Sequence, residues 1–292
     1  MQSRREVIKK IAMGAVGINS ISSFALTEET TSLTKEKTLK GNINHSVCRW
    51  TYESMSIEDL CIAAKKIGLQ AIDLVGPKDW DILKKHGLYS SMCNGAEINL
   101  IDGWADKKNH AQLIKNYTEH IELVAKAGYK NLICFSGSRR GMDNETGWNN
   151  CVEGLKHIMP LAEKKGVTIV MELLNSKVNH KDYMCDKTIW GVELCNRLAS
   201  PNFKLLYDIY HMQIDEGDVI ATIQKYHEYI AHYHTAGVPG RHEIEDAQEL
   251  NYPAIMKAIV ATGFKGYVAQ EFIPTRENKL ASLNIAVKIC DV

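Results

Sequence analysis

The 292-residue chain has no charge excess: 35 lysines and arginines balance 35 aspartates and glutamates. That balance argues against nucleic acid as a main partner, because holding a phosphate backbone takes a basic surface. There are eight cysteines, but no CxxC pair and no cysteine–histidine spacing of the zinc type. Scattered through a chain this long, they do not make the disulfide framework of a short secreted domain. Cys134, inside the apolar NLICF, reads as a buried thiol. No long hydrophobic run is present either. IAMGAVGINSISSFAL, the apolar stretch near the start, is too short and too diluted by glycine, serine and asparagine to span a membrane. A glycine-rich turn is also missing after the first strand-like segment, where RWTYES stands instead. An open doubly wound sheet would favour a phosphate loop there.

What is present begins with a basic segment, MQSRREVIKK, then that apolar stretch, then small residues SFA at 23–25. This is the layout of an export signal over residues 1–26. Arg4 and Arg5 resemble the twin-arginine address, which implies delivery to the periplasm. The plainer alternative is a frayed amphipathic helix. Residues 27–43 read as a polar linker and 44–292 as the folded catalytic domain.

From residue 44 onward strands and helices alternate. Strand-like segments fall at 45–50, 69–75, 88–95, 130–137, 167–174, 203–208, 230–235 and 265–272. Helical spacing follows each, with Ser56 as an N-cap and Gly68 as a stop for the first helix. Later helices are expected over 109–127, roughly 147–165, near 187–199, near 216–228, near 253–262 and over 277–290. Four joints, GLQAIDL, GYKNLIC, GVTIVME and GFKGYVA, run a helix-ending glycine straight into a strand. Eight such units in about 250 residues predict an α/β fold, a (β/α)8 TIM barrel.

Chemistry in such barrels sits where strands end. The fifth strand ends on Glu172, the sixth on Asp208, the seventh on His234 and the eighth on Glu271. One acid at a strand end is usually a helix cap or loop contact. Four metal-capable groups on neighbouring strands are different, because three carboxylates packed without a cation repel one another and suffer desolvation. A divalent metal removes the conflict, and an oxygen-rich set with one imidazole suits Mn2+ or Mg2+, with Co2+ acceptable. His232 shares the face of His234 one layer lower and is expected behind the ligands or in the core.

MELLN, LLYDIYHMQIDEGD, HYHTAGVPGRHE, ELNYP and GFKGYVAQEF together resemble the xylose-isomerase-like barrels, and within them the hydroxypyruvate isomerase family. The resemblance runs over 44–292 and is densest after 167. It implies metal ligands at Glu172, Asp208 and Glu271, acid/base roles for Glu172 and Glu271, and substrate contact by His211. His234 departs from that family, which has glutamine there. It is similar instead to the ketose 3-epimerases, whose metal set is Glu, Asp, His, Glu. Arg241 lies just beyond, where its paired donors suit a substrate carboxylate. The competing reading is a loop-ordering salt bridge to Glu243 or Glu245. His242 is an accessory contact at most.

The expected reaction is proton transfer through an enediolate on a small unphosphorylated 2-hydroxy carbonyl compound, with hydroxypyruvate to tartronate semialdehyde foremost. Ketose 3-epimerisation is the alternative, and a non-catalytic sugar-binding barrel a third reading. A DNA endonuclease is disfavoured, for want of a basic surface and of a histidine-rich multi-metal site. The expected partner is a small molecule, a keto acid or a free ketose, with no nucleic acid, no membrane span and no organic cofactor. The sequence leaves the oligomeric state open, a homo-oligomer among the options.

Overall fold

The computed structural model describes residues 38–292; the signal-like segment 1–26 and the linker as far as residue 37 lie outside the described residues. Eight parallel strands close into a barrel in sequence order, each hydrogen-bonded to the next and the eighth to the first. They are β1 (Asn44–Cys48), β2 (Ala71–Val75), β3 (Tyr89–Cys93), β4 (Asn131–Cys134), β5 (Thr168–Glu172), β6 (Phe203–Asp208), β7 (Ile230–Thr235) and β8 (Tyr267–Gln270). The connecting helices are α1 (Ile57–Ile67), α2 (Trp80–Lys85), α3 (His110–Ala127), α4 (Asn144–Leu155), α5 (Met159–Lys165), α6 (Thr188–Leu198), α7 (Ile209–Asp215), α8 (Val219–Tyr226), α9 (Tyr252–Ala261) and α10 (Lys279–Cys290). Among the described residues no helix is long and apolar enough to cross a membrane.

Local chemistry sets the joints. Ser56 Oγ accepts from the Asp59 N–H at 3.0 Å and starts α1. The four glycines that join helix to strand, Gly68, Gly128, Gly166 and Gly263, all adopt positive φ, a conformation that a side chain would strain. One expected helix is divided, and another has an additional short helix before it. The segment at 147–165 is α4 and α5, with Pro160 in the first turn of α5, where its missing N–H costs nothing. The segment near 216–228 is preceded by α7, which begins directly after Asp208 because the Asp208 carboxylate accepts from the His211 N–H at 3.1 Å. Gly217, at φ 71°, separates α7 from α8.

The main apolar core lies between barrel and helices. Leu60 and Ala64 of α1 and Leu113, Tyr117, Ile121 and Val124 of α3 are buried at helical spacing. Inside the barrel the floor is aromatic, with Tyr89 and Tyr267 stacked at 5.7 Å. The layers above turn polar, through His232 and Asp73 to the acids at the rim. All eight cysteines, Cys134 included, are buried and unpaired.

Candidate active site

The four residues at the ends of β5 to β8 converge. Glu172, Asp208, His234 and Glu271 each bring one ligand atom within 4.8 Å of the others, and all four are buried. β6 and β7 set Asp208 beside His234 in register, and Glu271 follows the last residue of β8. His234 Nδ1 lies 2.8 Å from Glu271 Oε2 and 3.2 Å from Glu172 Oε1. Neither approach has hydrogen-bond geometry, and Glu172 Oε1 and His234 Nδ1 are both buried without a hydrogen-bond partner. Lone-pair donors converging at that range make a seat for a cation.

Arg241 supplies positive charge from the side. Its Nη2 lies 2.5 Å from Glu271 Oε2 and 3.5 Å from Asp208 Oδ2. Its guanidinium also lies against the rings of Trp50, at 5.1 Å, and Tyr210, at 5.5 Å. The loop after β7 is folded to put it there. Gly237 N–H donates to the His242 carbonyl and Arg241 N–H to the Gly237 carbonyl. A Cβ on Gly237 would sit 2.3 Å from the Glu243 carbonyl oxygen, so only glycine closes this turn. Arg241 itself adopts φ 62°, held there by the 2.7 Å bond from Ile273 N–H to its carbonyl. Neither salt bridge that the sequence suggested for Arg241 forms: Glu243 bonds Thr275 and Ser282, and Glu245 pairs with Arg276. Arg241 Nε is buried without a partner, which leaves it a donor for a ligand. His242 is exposed, and its ring Nδ1 bonds the Ile273 carbonyl.

His211 sits one turn into α7. Its Nδ1 accepts from the Asn175 backbone N–H at 3.2 Å, and a backbone N–H can only donate. Nε2 therefore carries the proton of the neutral ring; it has no hydrogen-bond partner and lies 3.7 Å from Asp208 Oδ2. Burial, aided by the Arg241 charge, pushes the His211 pKa well down and keeps the ring neutral.

With the protein's own groups only, the three carboxylates divide. Burial opposes ionisation of Glu271, but Arg241 and His234 outweigh it and hold that carboxyl well below its ordinary range. Burial, and then the Glu271 charge, push Asp208 well up. Glu172 is also raised, by burial first and by Glu271 as well. The pair expected to handle protons thus consists of one firmly ionised carboxylate and one carboxyl that holds its proton more readily.

Three neighbours were not legible as site residues. Asp73 on β2 reaches across the barrel interior to both His232 and His234. Trp50, just past β1, donates from Nε1 to Glu271 Oε1 at 2.8 Å. Asn175 orients His211. The last two had a signal, since RWTYES and MELLN follow strands at the rim. Asp73 lay inside an apolar strand with nothing to mark it.

The family model described as "Xylose isomerase-like TIM barrel" matches residues 61–286. The 2-oxo-tetronate isomerase of Cupriavidus necator is 33% identical over 123 residues, 42% of this chain and 46% of that protein. The match therefore spans less than half of that relative. The hydroxypyruvate isomerase of Escherichia coli (strain K12) is 27% identical over 225 residues, 72% of this chain and 85% of that protein. Among solved structures, D-psicose 3-epimerase from Clostridium cellulolyticum superposes with a TM-score of 0.71 at 15% identity, over 86% of this chain and 100% of that one. That likeness bears on the fold alone. A family model matched over most of the length, on a closed eight-stranded parallel barrel, makes this chain a member of the xylose isomerase-like TIM barrel family.

Proposed function

We propose that the protein is a metal-dependent isomerase acting on a small unphosphorylated 2-hydroxy carbonyl compound, with hydroxypyruvate to tartronate semialdehyde as the leading reaction. The observation that carries this is the convergence of Glu172, Asp208, His234 and Glu271 on one buried point at the barrel mouth. These residues would hold a divalent ion, Mn2+ or Mg2+ in preference, whose contribution is Lewis-acid stabilisation of negative charge developing on substrate oxygen. Glu172 and Glu271 both approach Nδ1 of His234 and are the pair to remove a proton from one carbon and return one. His211 Nε2–H and the free Arg241 Nε–H are donors for substrate oxygens. The names of the Cupriavidus and Escherichia relatives support the isomerase reading.

Ketose 3-epimerisation is the second reading, and two observations favour it. His234 supplies an imidazole where the hydroxypyruvate isomerase pattern has glutamine. A cavity of about 830 Å³, lined by Trp50, Gly76, Lys78 and Asn94, also shares Trp50 with the site, and on this reading it would take the tail of a free ketose. The test is a panel of hydroxypyruvate and free ketoses incubated with the Mn2+-loaded protein in deuterated water and followed by NMR. The proposal expects a new isomer with deuterium at the reacting carbon. Deuterium in an epimer favours the second reading, and no exchange in any compound overturns both.

We further propose export to the periplasm by the twin-arginine route, on the strength of SRREVIK before an apolar stretch. Replacing Arg4 and Arg5 with lysine should retain the protein in the cytoplasm. Unchanged delivery refutes this.

A further inference from the structure

We infer that Asp73 is a positioning residue that fixes which nitrogen of His234 faces the carboxylate cluster, and that it thereby sets the affinity of the site for a divalent cation. The inference rests on the reading of His234 as a ligand.

The geometry begins with an irregularity in the sheet. The β2–β3 register shifts on both sides of Asp73, and Leu74 adopts φ 54°, a conformation that costs a branched residue energy. The Asp73 carboxylate ends up inside the barrel and fully buried. Its Oδ1 lies 3.0 Å from His234 Nε2 and accepts from Cys48 Sγ at 3.4 Å. Its Oδ2 accepts from Ser91 Oγ at 2.5 Å and lies 2.9 Å from His232 Nε2, outside hydrogen-bond geometry. A carboxylate only accepts, so the His234 proton that points at it belongs on Nε2. With a cation in the cluster the ring is neutral, and its remaining lone pair is on Nδ1, on the side of Glu172 and Glu271. An imidazole bound to a metal through one nitrogen and to a carboxylate through the other is held in tautomer and orientation and made a stronger donor.

The residue type matters as much as the position. Asp73 faces the His234 ring through one oxygen and accepts from Ser91 through the other. Asparagine has the same shape but no charge and one oxygen, so its amide N–H group must face either His234 or Ser91. With its oxygen to His234 it is a weaker acceptor behind a metal-bound ring than the carboxylate is. With its N–H to His234 it takes the Nε2 lone pair and moves the proton to Nδ1, the nitrogen facing the cluster. Either way the site loses affinity for the cation.

The test is titration of chelator-stripped protein with Co2+, followed by its visible absorption, for the unmodified chain and for Asp73→Asn. The expected result is one Co2+ per chain, bound about 10- to 100-fold more weakly by the variant. Equal affinity in a folded variant overturns the inference. So does a second equivalent bound by the unmodified chain, which would make Asp73 and His232 ligands. Should the variant not fold, the unmodified protein decides by itself. In 15N-histidine spectra of the Zn2+-loaded chain, His234 is expected to carry its proton on Nε2, and a proton on Nδ1 refutes the assignment. If no divalent ion binds the unmodified chain at all, the reading of the metal site fails, a result distinct from either of these.

Discussion

Arg241 and a divalent ion should compete for the same carboxylates, and that competition is measurable. Arg241→Met removes the guanidinium charge while keeping most of the volume between Trp50 and Tyr210. The side chain is 13% exposed, and Glu271 and Asp208 beside it are 4% and 1% exposed. Removing one partner from an ion pair this deeply buried costs about 3–5 kcal/mol. For a domain of this size, at about 2–4 °C per kcal/mol, that is a fall in melting temperature of roughly 6–20 °C. The figure applies with chelator present. Saturating Mn2+ neutralises the same acids, so the gap between variant and unmodified protein should narrow. By linkage, each narrowing of about 1.4 kcal/mol corresponds to a tenfold tighter Mn2+ affinity in the variant. The assay is thermal unfolding of both proteins in EDTA and in Mn2+, with calorimetric titration of the ion. A gap that Mn2+ leaves unchanged or widens, or no loss of stability in EDTA, would refute the competition.

Glu172→Gln and Glu271→Gln should each lower kcat by about 10²–10⁴-fold once a substrate is in hand, with solvent deuterium exchange falling in step; exchange that survives either change removes that residue from proton transfer. His45 is fully buried at the foot of β1, both ring nitrogens unpaired, and burial lowers its pKa from 6.5 to about 4 against the pull of Asp291. The unfolded chain therefore binds the extra proton between those values. Stability from this group is complete above pH 6.5 and lost on acidification through pH 4, at most about 3 kcal/mol. Urea unfolding of His45→Leu should show a correspondingly flatter pH dependence, and identical slopes would disprove it. Glu243 ties the Arg241 loop to Thr275 and Ser282, and those hydrogen bonds outweigh burial to hold its pKa near 2. Glu243→Gln should speed amide exchange at Thr275 above pH 4.5, the range where the native carboxylate is ionised in both folded and unfolded chains; unchanged exchange there would count against the tie.

The barrel was legible because its signals are local. Helix-ending glycines, period-two strands and Ser56 each act within a few residues; the glycines and Ser56 cap the helices assigned to them, and the eight strands overlap their expected segments with ends that differ. The four strand-end groups were legible too, since the fold rule converts sequence position into a place at the mouth. What escaped was contact across the barrel. Asp73 meets residues 159 and 161 positions away through the interior, and the β2 bulge that aims it has no composition of its own. Arg241 had two acids within four residues and chose two others 33 and 30 positions away, because the Gly237 turn points it inward. The split of 147–165 was readable from Pro160, whose place in a first helical turn is a local rule.

Trp50 gives the site an optical signal of its own. Its indole nitrogen holds one carboxylate of the cluster, and its ring lies against the arginine that neutralises two of them. An indole's emission responds to the charge and hydration around it. Whatever changes the electrostatic balance at the mouth, whether a cation, a keto acid or a rotated guanidinium, changes the field on this one fluorophore. The protein can therefore report occupancy of its own cleft in the Trp50 share of its emission, read as the difference from a Trp50→Phe variant because four other tryptophans also emit, and candidate ligands can be screened before any turnover is known.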